Sequence, residues 1–116
     1  MTPHLGEFEQ LLLFALLRLE DDAYGVTIRR EIERRTSRSV AVGAVYTALQ
    51  RLEDRGLVSS RIGEPTAERG GRRKRHYRLE PAGARALAAS YENLREMSKG
   101  LAPKLAQLAG QTRRGS

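Results

Sequence analysis

A chain of 116 residues, 40% of them hydrophobic, can bury one core but not two, and with aromatics at 5% and no Trp that core must come from Leu, Ala, Val and Ile. Lysines and arginines outnumber acids by 21 to 14, a net charge of +7 that suits a polyanionic partner. The absence of Cys excludes disulfide scaffolds, Cys-ligated zinc, iron–sulfur clusters and Cys nucleophiles; His4 and His76 do not make a metal site by themselves, so no metal and no cofactor are expected.

The first predicted element covers residues 5–19, where Phe8, Leu12, Ala15, Leu16 and Leu19 follow helical spacing. Its apolar run, residues 11–17, is too short to span a membrane and is preceded by Glu7 and Glu9 rather than by basic residues. The expected location is therefore the cytoplasm, with no membrane partner. Leu11, Leu13 and Phe14 add apolar surface beyond one stripe, so a partner chain is expected to cover part of this helix. Asp22 is the predicted N-cap of a second helix carrying Tyr24, Val26, Ile28 and Ile32, which ends in the polar turn of residues 36–39.

A third helix is predicted from about Val42 to just before Gly56, a suitable helix-ending glycine. Val42, Val45, Leu49 and Leu52 share one face. At about 100° per residue, Gly43, Ala44, Thr47, Gln50, Arg51 and Asp54 share the other, and Tyr46 lies on the flank. Residues 57–62 and 74–79 then read as two strands around a long glycine-containing loop. Alternation puts Arg75, Tyr77 and Leu79 on one side of the second strand, and Lys74, His76 and Arg78 on the other.

Pro81 pre-sets the start of a last helix, residues 81–109. There Leu87, Tyr91, Leu94, Ser98, Leu101, Leu105 and Leu108 advance by alternating steps of four and three, a heptad seam interrupted only by Ser98. Gly100 and Pro103 predict a kink or break near residues 99–103, and residues 110–116 read as a disordered basic tail.

The expected fold is mainly α (α+β): a winged helix-turn-helix over residues 1–80 with a two-stranded wing, then a C-terminal dimerisation helix. The third helix is the one such domains lay in the major groove. Small Gly43 and Ala44 allow close approach there, and Thr47 can donate, accept or touch a thymine methyl. By itself this helix also fits an ordinary amphipathic helix with a polar exterior. The wing is more specific: Arg69, Arg72, Arg73, Lys74, Arg75 and Arg78 follow one another with no acid between them, as phosphate contacts require. Gly70 and Gly71 would let the loop approach a backbone or enter a minor groove. No catalysis is expected. The acids sit at helix starts or among arginines, and Ser59, Ser60 and His76 lack an orienting acid.

Residues 11–17, then Ala23-Tyr24-Gly25, Gly43-Ala44-Val45-Tyr46, Leu49, Arg51-Leu52-Glu53 and Gly56-Leu57-Val58 resemble the PadR-like transcriptional regulators. Residues 72–79 followed by Pro81-Ala82-Gly83 look like that family's wing and its exit. The resemblance covers about residues 5–108. It implies a winged-helix homodimer that binds double-stranded DNA at a pseudo-palindromic operator, usually as a repressor. It also implies dimerisation through the C-terminal helix packed with the partner's first helix. On this resemblance Gly43, Ala44, Tyr46 and Thr47 fall on the recognition helix, with Arg51 beside them. Arg72, Arg73, Lys74, Arg75 and Tyr77 fall on the wing. Leu11, Phe14, Leu87, Tyr91, Leu94, Leu101, Leu105 and Leu108 are the expected dimer residues. Glu80 stands where the family often has Thr. Some relatives sandwich flat effectors between tryptophans at the dimer centre, and this chain has no Trp. A winged-helix protein-docking module and a non-specific nucleic-acid binder are the competing readings of the same surface.

Overall fold

Helix α1 (Glu7–Leu19) starts where Glu9 Oε1 accepts the Gly6 N–H at 2.9 Å, satisfying a backbone donor that a first turn leaves free. Leu12, Leu13, Ala15 and Leu16 are buried, Leu11 and Phe14 are half-buried, and Leu17 faces solvent. The chain itself thus covers more of this helix than its sequence led us to expect. A 3₁₀ turn (Glu20–Asp22) follows.

The expected cap at Asp22 is not used. Helix α2 (Gly25–Arg35) is capped at Tyr24, whose N–H donates to Thr27 Oγ1 at 3.0 Å. The start is delayed because Ala23 is buried and Tyr24 is extended, forming an isolated β-bridge with His76 that a helix at this point would forbid. Helix α2 ends with the Glu31 carboxylate gripped by Arg35 and, at 2.6 Å, by Arg34; these two hold its pKa below the ordinary value.

The structure is a computed structural model describing residues 3–64 and 73–111. Helix α3 (Val42–Asp54) buries Val45, Leu49 and Leu52 completely, with Val42 half-buried at its start. Gly56, at φ 75°, closes it: the Gly56 N–H reaches the Glu53 carbonyl and the Leu57 N–H the Leu52 carbonyl, both at 2.9 Å. This double bond pattern needs a left-handed residue, which glycine supplies without a steric cost.

Strands β1 (Val58–Ile62) and β2 (Arg75–Leu79) pair antiparallel, with Val58 opposite Leu79, Ser60 opposite Tyr77 and Ile62 opposite Arg75. Tyr77 points into the core at 5% exposure. Helix α4 (Pro81–Ser98) follows. Its N-cap, Glu80, makes no side-chain cap bond, and Pro81 fills the first turn. Gly83, Ala86 and Leu87 of α4 are buried with the rest of the core, whereas residues 91–98 are exposed. Leu87 is therefore a core residue of its own chain and not the dimer contact expected of it, because the first turns of α4 pack between α1 and the root of the wing. The helix breaks where expected, at Lys99 and Gly100 (φ 77°), and resumes as α5 (Ala102–Ala109). Of the tail expected to be disordered, residues 112–116 lie outside the described residues.

Among the described glycines, Gly83 leaves the least room for a side chain. A Cβ there would collide with the Leu57 carbonyl oxygen and press on Leu79 Cδ1, which lies 2.7 Å from its position. The oxygen cannot retreat, because it accepts the Glu80 N–H at 3.0 Å. Gly83→Ala should lower unfolding stability by about 2 kcal/mol or more, read as a drop in Tm by circular dichroism; an unchanged Tm would mean the α4–β1 contact is loose.

Candidate nucleic-acid interface

The outward side of α3 is open. Gly43, Ala44, Thr47, Gln50 and Arg51 are exposed, and nothing lies within 4 Å of where a Gly43 Cβ would be. The opposite face holds the helix in place through Val45, Leu49 and Leu52, all buried. Gln50 and Asp54 bond to one another at 2.9 Å. Tyr46, 40% exposed, occupies the flank as its spacing predicted, but its ring has a job within the chain. It lies directly over Gly25, the first residue of α2, where any Cβ would overlap the ring. The two helices of the helix-turn-helix are thereby set at a fixed approach. Sequence periodicity could not find this pair, since its members are twenty-one positions apart and neither is core by pattern.

The wing's cations have unequal surroundings. Arg73 is exposed. Lys74 is half-buried, its Nζ 4.4 Å from the Tyr24 ring centroid and donating to the Tyr24 hydroxyl at 3.2 Å. His76, on the same face of β2, meets the Tyr24 ring edge-on at 5.5 Å. Arg75 is exposed and lies on the other face, where its Nη1 donates to Ser60 Oγ at 2.9 Å. The Ser60 hydroxyl in turn donates to Glu53 Oε2, on α3, at 2.8 Å. Glu53 and Ser60 were not anticipated as part of this site.

Tyr77 was expected among the wing contacts, and the structure corrects this. It is buried, and burial pushes its phenol above the ordinary pKa. The predicted alternation was right, but it left open which side of the strand turns inward. Arg72, together with Arg69, Gly70 and Gly71, lies outside the described residues.

A second surface is apolar. Tyr91, Leu94 and Met97 on α4, Leu101 at the cap of α5, and Leu105 and Leu108 on α5 are each between 48% and 79% exposed. Met97, the most exposed, fits the row where Ser98 interrupts it, since it stands three residues after Leu94 and four before Leu101. Phe14 meets Tyr91 of its own chain edge-on at 6.1 Å, so it lies at the foot of this surface, whereas Leu11 is half-buried on α1. Among the described residues, no helix is long and apolar enough to cross a membrane, and no group of three or more side chains could hold a metal ion.

Comparison with known proteins gives a consistent result. The family described as transcriptional regulator PadR-like matches residues 13–89. Among solved structures, a PadR family transcription regulator from Clostridium difficile is 28% identical, with 83% of this chain and 96% of that chain covered and a TM-score of 0.66. A transcriptional regulator from Clostridium thermocellum is 26% identical, covering 79% of this chain and 87% of its own, at a TM-score of 0.63. A PadR family transcriptional regulator from Eggerthella lenta, 20% identical, shares the fold over 89% of this chain and 84% of its own, at a TM-score of 0.62. No curated protein matches the chain.

Among the described residues, Arg73 and Arg78 are the exposed cations of the wing's second strand and its approach that have no side-chain partner to leave before meeting a phosphate. Arg73→Ala should weaken binding to duplexes of any sequence alike. The slope of log affinity against log salt should become shallower by about one unit. Fluorescence anisotropy across a salt series would check this; an unchanged slope would take Arg73 off the phosphates.

Proposed function

The chain belongs to the PadR-like family of transcriptional regulators, and from that premise, which makes it a DNA-binding regulator rather than an enzyme, we propose that it is a homodimeric repressor. It works in the cytoplasm on a pseudo-palindromic operator. In this reading α3 enters the major groove, with Ala44 and Thr47 against base edges, Gly43 permitting close approach, and Arg51 and the flank of Tyr46 towards the backbone. The wing cations take phosphates alongside.

The observation that carries the dimer is the exposed apolar surface of α4 and α5. Soluble monomers rarely leave a contiguous patch of this kind in water. A second copy presenting the same apolar surface is a self-complementary occupant for it. Burial of each leucine contributes roughly 1.5–3 kcal/mol, and Leu94, Leu101, Leu105 and Leu108 are all available. Two α3 helices held about one DNA turn apart can read a palindrome, which a single copy cannot. Bound over a promoter, the dimer represses by occupancy.

Leu94→Asp places a charge in the middle of this surface without removing the helix. The expected outcome is a monomer by analytical ultracentrifugation, with operator affinity reduced to the non-specific level. A Leu94→Asp protein that stays dimeric and still binds its operator would put the interface elsewhere.

Thr47 supplies the test of base reading. Thr47→Ala should change the preferred base at one or two operator positions, a discrimination of about 1–3 kcal/mol. Selection of binding sites from a random library would display it, and an identical selected motif would remove Thr47 from the reading set.

A further inference from the structure

Glu53 stands on the helix assigned to the groove, where a carboxylate repels phosphates. Its placement makes sense through what it holds. Its Oε2 accepts the Ser60 hydroxyl at 2.8 Å, and Ser60 Oγ accepts Arg75 Nη1 at 2.9 Å. A hydroxyl has one proton to donate and lone pairs to accept with, so giving the proton to a carboxylate makes its oxygen a better acceptor for the guanidinium. Ser60 sits opposite Tyr77 in the sheet, which places Arg75 as its diagonal neighbour on the same face.

We propose that Glu53 is a positioning residue for DNA binding: through Ser60 it holds the Arg75 guanidinium at the junction of recognition helix and wing. This rests on α3 and the wing being the DNA-facing surface. The intervening hydroxyl matters. No ion pair within 4.0 Å joins Glu53 directly to Arg75, and among the described residues Arg75 Nε and Nη2 have no partner. The guanidinium is thus oriented through one nitrogen, while the donors on its other two remain for a phosphate oxygen. A direct pair with Glu53 would have engaged that charge fully. Helix α3 and the wing, which share no covalent connection closer than the turn at Gly56, are brought into register by this three-residue chain.

The two roles open to Glu53 differ in sign. A carboxylate that only repels DNA would, on removal, tighten binding. A positioning carboxylate would, on removal, weaken it. The experiment uses the full chain, folded by circular dichroism, and a labelled random-sequence duplex at fixed salt. Wild-type protein is titrated first, and a failure to bind there refutes the DNA-facing surface itself. Given wild-type binding, Glu53→Ala and Ser60→Ala should each weaken it about three- to tenfold, as expected for a lost hydrogen bond in a charged chain. Glu53→Gln, whose amide oxygen still accepts the Ser60 hydroxyl, should stay within about twofold of wild type. In an Arg75→Ala background, Ser60→Ala should cause no further loss. Tighter or unchanged binding by Glu53→Ala overturns the proposal, and so does an equal loss from Ser60→Ala with and without Arg75. Should Glu53→Ala not fold, the Ser60–Arg75 cycle decides alone.

Discussion

The insertion of Tyr77 into the core is the constraint on which the surface shared by α3 and the wing depends. A strand in a two-stranded hairpin is held by one neighbour only, and such hairpins are marginal in water. Here β2 gains a second anchorage: its central side chain is buried among the helices, and the Tyr77 N–H donates to the Ala23 carbonyl at 2.9 Å. That bond extends the ladder across to the segment just before α2. The wing is consequently continuous with the helix-turn-helix at its root.

Alternation along β2 turns this anchorage into a two-sided one. Lys74 and His76 meet Tyr24 at the start of α2. Arg75, on the opposite face, reaches α3 by way of Ser60 and Glu53. Tyr46 closes the remaining junction by lying on Gly25. Each of the three contacts uses a polar or aromatic side chain at the edge of the core, where one end packs and the other stays wet. Their joint effect is that α2, α3 and the wing meet a ligand as one surface. The entropy of assembling that surface is already spent on folding, not on binding.

Much of this was legible in the sequence. The three-four-three spacing of Val42, Val45, Leu49 and Leu52 identified α3 and the direction of its outer face. Gly56 marked its end, and Gly100 with Pro103 marked the break before α5. These are local signals, determined by backbone periodicity and by what glycine and proline permit. What escaped was set by tertiary contact. Asp22 looked like a cap, but the bridge from Tyr24 to His76 took the chain past it. Tyr77 belonged to an alternating strand whose inward side only the helices beneath could decide. Leu87 opened a regular seam, yet α4 is embedded at that point and free one turn later. Periodicity did not pair Gly25 with Tyr46, because a glycine making room for a ring leaves no trace in it.

The way α4 is mounted has a mechanical consequence. Its first two turns are clamped in the core, with Gly83 seated against Leu57, the residue that joins the end of α3 to the start of β1. Beyond Leu87 the helix runs out about 15 Å to Met97, at 1.5 Å per residue, and from Tyr91 onward its residues are exposed. It is a stiff lever with its fulcrum at the root of the wing. A load on the outer arm therefore bears on Gly83 and Leu57, at the point where α3 gives way to β1.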